Sequence, residues 1–158
     1  MNEYGNLRER NGRYVLEFDR VFQLKPEEVF PVITNPHYFS QWYPFATGEM
    51  DLRIGGNIKF DDGEGSKYEA EIIKLEPPYS FSFQEIDDLL QIELHEEGQG
   101  CRLNFRHTFD DRSMVKYIAA GWHRCLDALA KLIKAQPIEW QNNAEQLREY
   151  YSKAFGEN

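Results

Sequence analysis

At 158 residues the chain is expected to form one domain, since domains usually run to roughly 100–200 residues. Its net charge of -9, from 18 Lys and Arg against 27 Asp and Glu, argues against nucleic acid and anionic membrane surfaces as partners. Both of those are held mainly by Lys and Arg. Aromatic residues make up 15% of the chain, enough rigid rings to line a large apolar space.

No apolar run approaches the ~20 residues of a spanning helix. Residues 1–13 are polar and lack the apolar stretch of a secretory signal. Two cysteines, Cys101 and Cys125, suit a reducing compartment, so a cytoplasmic location is expected.

In chain order, residues 14–23 (YVLEFDRVFQ) are rich in aromatic and β-branched residues and predict a strand. Pro26 followed by Glu27 and Glu28 opens a short helix, because Pro suits the first turn and acids complement its dipole. Asn35-Pro36 starts a second short helix over residues 37–42. Residues 50–54 and 57–60 predict two strands around Gly55-Gly56. Further strands are expected over 67–75, 79–84, 90–94 and 101–109, each showing side chains that alternate between two faces.

The period then changes. Ile118, Trp122, Cys125, Leu126, Leu129 and Ile133 recur at three- and four-residue steps and predict a long amphipathic helix ending near Pro137. Strands joined by short turns make an antiparallel meander, so the fold class is α+β. After Pro137, the residues Trp140, Ala144, Leu147, Tyr151 and Phe155 share one helical face. That extension, residues 137–158, is expected either to pack on the 1–136 domain or to present Trp140, Leu147, Tyr151 and Phe155 to a protein partner or a second copy.

The segments VFPVITNPHYFSQWYPF (29–45), DLRIGGNIKF (51–60) and AAGWHRCLDALAKLI (119–133) together resemble one family. It is the family of activators of the ninety-kilodalton heat-shock protein ATPase, within the START-like or SRPBCC helix-grip superfamily. The shared pattern is NP-x(4)-QW, then DLRIGG, then GW-x(3)-L-x(2)-L, and the resemblance covers about residues 14–136. It implies a curved antiparallel sheet of about six to seven strands gripping a long C-terminal helix, with two short helices after the first strand. An apolar cavity between sheet and helix is a common feature of such folds. The chaperone activators carry an additional domain that this length is not expected to hold. Relatives bind lipids, cyclise polyketides or assist chaperones, so the fold alone does not select a chemistry.

A small apolar or aromatic ligand is therefore expected in a cavity lined by Trp42, Phe45, Phe60, Tyr68, Phe81, Phe83, Ile92, Phe105, His107 and Trp122. His107 lies on an alternating strand beside Leu103 and Phe105 and is the sharpest polar candidate, able to orient a carbonyl or act as a base. His123, turned about 100° from Trp122 on the helix, is expected in solvent. The acidic pair Asp87-Asp88 is likewise expected to be a solvated turn.

No metal or other cofactor is expected. His123 and Cys125 do not share a helix face, and Cys101 and His107 stand about 20 Å apart on one strand. No serine sits in a nucleophile elbow. A cyclase- or dehydratase-type enzyme using His107 or Tyr68 stays open as an alternative, as does a chaperone-assisting module.

Overall fold

A computed structural model describes residues 3–156. Two strands, β1 (Asn6–Arg10) and β2 (Arg13–Phe22), precede two short helices, α1 (Pro26–Thr34) and α2 (Pro36–Trp42). Six strands follow: β3 (Ala46–Met50), β4 (Asn57–Asp61), β5 (Lys67–Glu76), β6 (Ser80–Glu85), β7 (Asp88–Glu97) and β8 (Gly100–Phe109). The long helix α3 (Val115–Ile133) and a tail helix α4 (Ala144–Ala154) complete the fold. Among the described residues no helix is long and apolar enough to cross a membrane.

All eight strands form one antiparallel sheet in the order β1-β2-β8-β7-β6-β5-β4-β3. The α+β helix-grip arrangement expected from the sequence is therefore present, with one strand more than the upper expectation. The additional strand is β1, so the paired short helices follow the second strand. Five residues, NLRER, carry too little apolar character to signal a strand, and pairing with β2 alone makes them one. The third strand also lies earlier than expected. β3 ends at Met50, and residues 51–56 form a loop that bonds across to β5 through Gly55 N to Ile72 O and Ile72 N to Gly56 O. Gly55 has a φ of 85°, and a Cβ on Gly56 would stand 2.0 Å from the Asp51 carbonyl oxygen. Only glycine fits that pair of positions.

Register places the apolar residues in rows on one face. Phe18, Phe105, Ile92 and Phe81 pair in succession across β2, β8, β7 and β6, and none is more than 1% exposed. The adjoining row runs Leu16, His107, Leu90, Phe83, Ile72, with His107 its one polar member. α3 lies over this face and packs against α1, α2 and α4. Its Trp122 ring sits 4.8 Å from Phe105 and 5.1 Å from Tyr43, so the middle of the grip is filled by side chains. Fully burying residues of this kind contributes about 1.5–3 kcal/mol each.

The tail helix docks on the body through Leu147 and Tyr151, both buried, and through Phe155, which is partly buried. Tyr151 Oη accepts a hydrogen bond from Gly5 N at 2.9 Å, and Arg112 donates to the Phe155 carbonyl. The tail therefore ties the start of the chain to α3.

Candidate functional site

Among the described residues, a largely apolar open cleft of about 780 Å³ lies at one end of the grip. Its first wall is the end of α2 and the loop after it, Ser40 to Phe45. The second is Met114, just before α3, and a stripe of α3 that includes Tyr117, Ile118, Gly121, Trp122 and Cys125. These positions fall three or four apart, so they lie on one helix face. Trp140 leans in from the segment before α4, and His107 reaches the cleft from β8. Local sequence explains the walls. Asn35 Oδ1 accepts from His37 N at 3.0 Å and starts α2, which carries Trp42 and Tyr43 to the opening. Gly121 removes a side chain from the middle of the α3 stripe, and a Cβ there would meet nothing within 4 Å.

Phe45 stands at the mouth, 55% exposed, with a φ of 65°. A bulky residue in the left-handed region is strained. Its carbonyl is held by Asp61 N at 2.8 Å. Met114, Tyr117 and Trp140 are also largely exposed around the same opening.

A polar network underlies this apolar lining. Trp122 Nε1 donates to His107 Nδ1 at 2.9 Å, which leaves that nitrogen without a proton. Nε2 therefore carries the proton and donates to Asp88 Oδ2 at 2.8 Å. Beside it, Tyr43 Oη donates to Glu85 Oε2 at 2.7 Å. Burial first, then the Glu85 charge, holds the Tyr43 hydroxyl well above its ordinary pKa. The same two causes, in that order, push Tyr68 up to about 12. Glu85 is itself raised by burial, against the hydrogen bond from Tyr43 and the pull of His107. Burial pushes the Cys125 thiol up to about 12. The phenols and the thiol thus stay protonated at neutral pH, and both His107 nitrogens are engaged.

Of the ten residues expected to line a cavity, Trp42, Phe45, His107 and Trp122 border this cleft. Phe60 and Tyr68 stack 5.0 Å apart and border a separate open groove between β3, β4 and β5. Phe81, Phe83, Ile92 and Phe105 are fully packed inside. Residues that pattern alone did not single out include Tyr43, Asp88, Glu85, Met114, Tyr117, Gly121 and Arg124. For Met114, Tyr117, Gly121 and Arg124 a signal existed, their common helical spacing. For Glu85 and Asp88 none did, because they face each other across a two-residue turn and acquire meaning only from His107 and Tyr43. Asp88 is accordingly no solvated turn residue.

His123 also departs from expectation. It is 3% exposed, because the helix side turned away from Trp122 is the side that α4 covers. Its Nδ1 lies 2.8 Å from Tyr151 Oη, and burial lowers its pKa below 6.5. Glu3, His123 and Asp127 bring their ligand atoms within 4.8 Å of one another, a grouping with metal-site dimensions. The Arg20 guanidinium, 3.0 Å from Asp127 Oδ1, already supplies positive charge there, which disfavours a metal cation. Among the expected partner-facing residues, Leu147 and Tyr151 face this chain's own core, while Trp140 is 52% exposed.

A sequence profile of activator of Hsp90 ATPase homolog 1-like proteins matches residues 23–134. No curated protein matches the chain in sequence. Among solved structures, a conserved protein of unknown function from Enterococcus faecalis superposes with a TM-score of 0.83 at 15% identity, covering 96% of this chain and 90% of that one. CalU16 from Micromonospora echinospora gives 0.71 at 19% identity, covering 98% and 95%. The Aha1 dimer from Colwellia psychrerythraea gives 0.64 at 15% identity, covering 75% and 95%. At these identities the likeness is one of fold. Coverage of 96% leaves about six of the 158 residues unmatched, fewer than the 11 of α4, so the tail helix falls at least partly within the match to the Enterococcus protein.

Proposed function

The chain belongs to the activator of Hsp90 ATPase homolog 1-like family, and on that premise we propose that it acts by binding, holding a small apolar or aromatic molecule in the open cleft without covalent chemistry. The observation that carries this reading is the cleft itself: about 780 Å³, walled by Tyr43, Phe45, Ile118, Trp122 and Trp140. Ligand sites are typically about 300–1,000 Å³, mostly apolar, with a few placed polar groups. Removing apolar surface from water yields roughly 25 cal/mol per Å², and micromolar affinity needs only about 8 kcal/mol net. A cytoplasmic location is part of the same reading.

The test is a thermal-shift screen of the purified protein against lipids and polycyclic aromatics. A ligand at about a hundred times its dissociation constant stabilises by about 2.7 kcal/mol, a shift of about 5–10 °C for a chain of this size. Gly121→Leu, at a position where a Cβ meets nothing within 4 Å, extends into the cleft from α3 and is expected to abolish the shift while leaving the fold intact. A flat response across the whole panel overturns the reading.

A second reading is favoured by the exposure of Phe45, Met114, Tyr117 and Trp140 around one mouth. A protein segment or a second copy of this chain docks there, in a chaperone-assisting role or as a homodimer; the Colwellia neighbour is itself a dimer. Trp140→Asp is then expected to shift the sedimentation profile toward the monomer, or to release the partner, and to leave small-molecule shifts in place.

A further inference from the structure

Among the described residues, Arg124 is the one of fixed charge that borders the cleft. Its Nη2 donates to the Gln141 carbonyl at 3.1 Å, and its guanidinium lies over the Trp140 ring, 5.7 Å from the centroid. Nε is buried and has no hydrogen-bond partner. Arg8, Arg13, Arg20, Arg53, Arg102 and Arg106 each reach a carboxylate. Among the described residues none does so for Arg124. Among the described residues Arg10, Arg112 and Arg148 likewise form no ion pair, but of these four arginines Arg124 alone borders the cleft. A partly buried cation without a counter-charge is unfavourable and is relieved when an anion arrives.

Position adds length to this charge. Met114, just before α3, and Ile118, Gly121 and Arg124 of α3 follow one stripe, and ten residues of helix span about 15 Å. The charge sits at one end of that stripe and apolar surface at the other. Trp140 stiffens the guanidinium from behind by cation–π contact.

Resting on the reading of the cleft as a binding site, we infer that its ligand is an elongated amphipathic acid. The anionic head sits on Arg124, and the apolar body lies along α3 toward Met114, against Trp122 and Phe45.

Two fluorescent probes separate this inference from the reading beneath it: anilinonaphthalene sulfonate, and the uncharged phenylnaphthylamine that lacks only the sulfonate. Both are expected to bind the wild-type chain and to be displaced by a long-chain fatty acid. Arg124→Met is expected to weaken the sulfonate about tenfold and the neutral probe less than about twofold, while Arg124→Lys retains most of the sulfonate affinity. Should Arg124→Met fail to fold, raising salt on the wild type is expected to weaken the sulfonate several-fold and leave the neutral probe unchanged. Equal loss of both probes, or no loss of either, overturns the acid assignment and leaves the cleft standing. Failure of both probes to bind the wild type overturns the cleft itself.

Discussion

Trp122 and His123 are neighbours on α3, and the helix points them about 100° apart into two unlike surroundings. On one side Trp122 and His107 form a hydrogen-bonded floor beside an open apolar cleft, with Asp88 half-buried at the edge. On the other, His123 meets Tyr151 in a closed space filled by Tyr4, Phe18 and the tail helix. Both histidines are buried and both are hydrogen-bonded to an aromatic side chain. Only the first borders room for a ligand. A buried, fully bonded histidine therefore says nothing about function by itself; the space beside it does.

Four changes break or sharpen that contrast. The largest effect is expected on the closed side. Tyr151→Ala removes a fully buried ring that holds Gly5 and His123, and a loss of about 3–5 kcal/mol is expected in urea denaturation. A loss below about 1 kcal/mol shows that the tail is no part of the core. On the cleft side, Trp122→Phe leaves His107 Nδ1 without its donor, and about 1–3 kcal/mol is expected to go. Replacing both partners by apolar residues restores part of it, so a double-mutant cycle reads the coupling between them.

Phe45→Gly runs the other way. It relieves a left-handed backbone at a half-exposed position, and a gain of about 1 kcal/mol is expected together with weaker ligand binding. A fall in stability instead returns Phe45 to the core, and unchanged affinity removes it from the wall.

The smallest effect is in the pH dependence, where the two sides have opposite signs. His123 has a folded-state pKa below its ordinary 6.5, chiefly through burial. Its share of stability is complete above 6.5 and is lost as pH falls from there through the lowered value. Glu85, raised above 4.5 by burial, contributes most below that value and loses its share as pH rises through the raised one. Denaturation midpoints are expected to drop on acidification from neutrality to about pH 5, and His123→Gln, whose amide can donate to or accept from Tyr151, is expected to flatten that slope.

How much of this was legible can be traced residue by residue. The alternation of β8 put His107 on the inner face with Leu103 and Phe105, and register confirms that face. The helical spacing of Trp140, Leu147, Tyr151 and Phe155 exposed a shared stripe, but α4 begins only at Ala144, so Trp140 is free to lean into the cleft while Leu147 and Tyr151 turn inward. Phe60, Phe81 and Phe83 carry the same inward pattern as Trp42, yet only Trp42 borders the large cleft. Periodicity reports which face a residue occupies. It does not report whether that face meets a neighbour or a gap.

Local rules were enough for the order of the elements from β2 onward, the α+β class and the long amphipathic helix, because each follows from side-chain periods of two and 3.6 within a short window. Where the apolar space opens was decided by contacts between distant segments. Tyr43, His107, Gly121 and Trp140 come from four separate stretches, and whether Arg124 meets an acid depends on where distant segments fold; among the described residues it forms no ion pair. Volume and charge balance are sums over those long-range neighbours, which no local window contains.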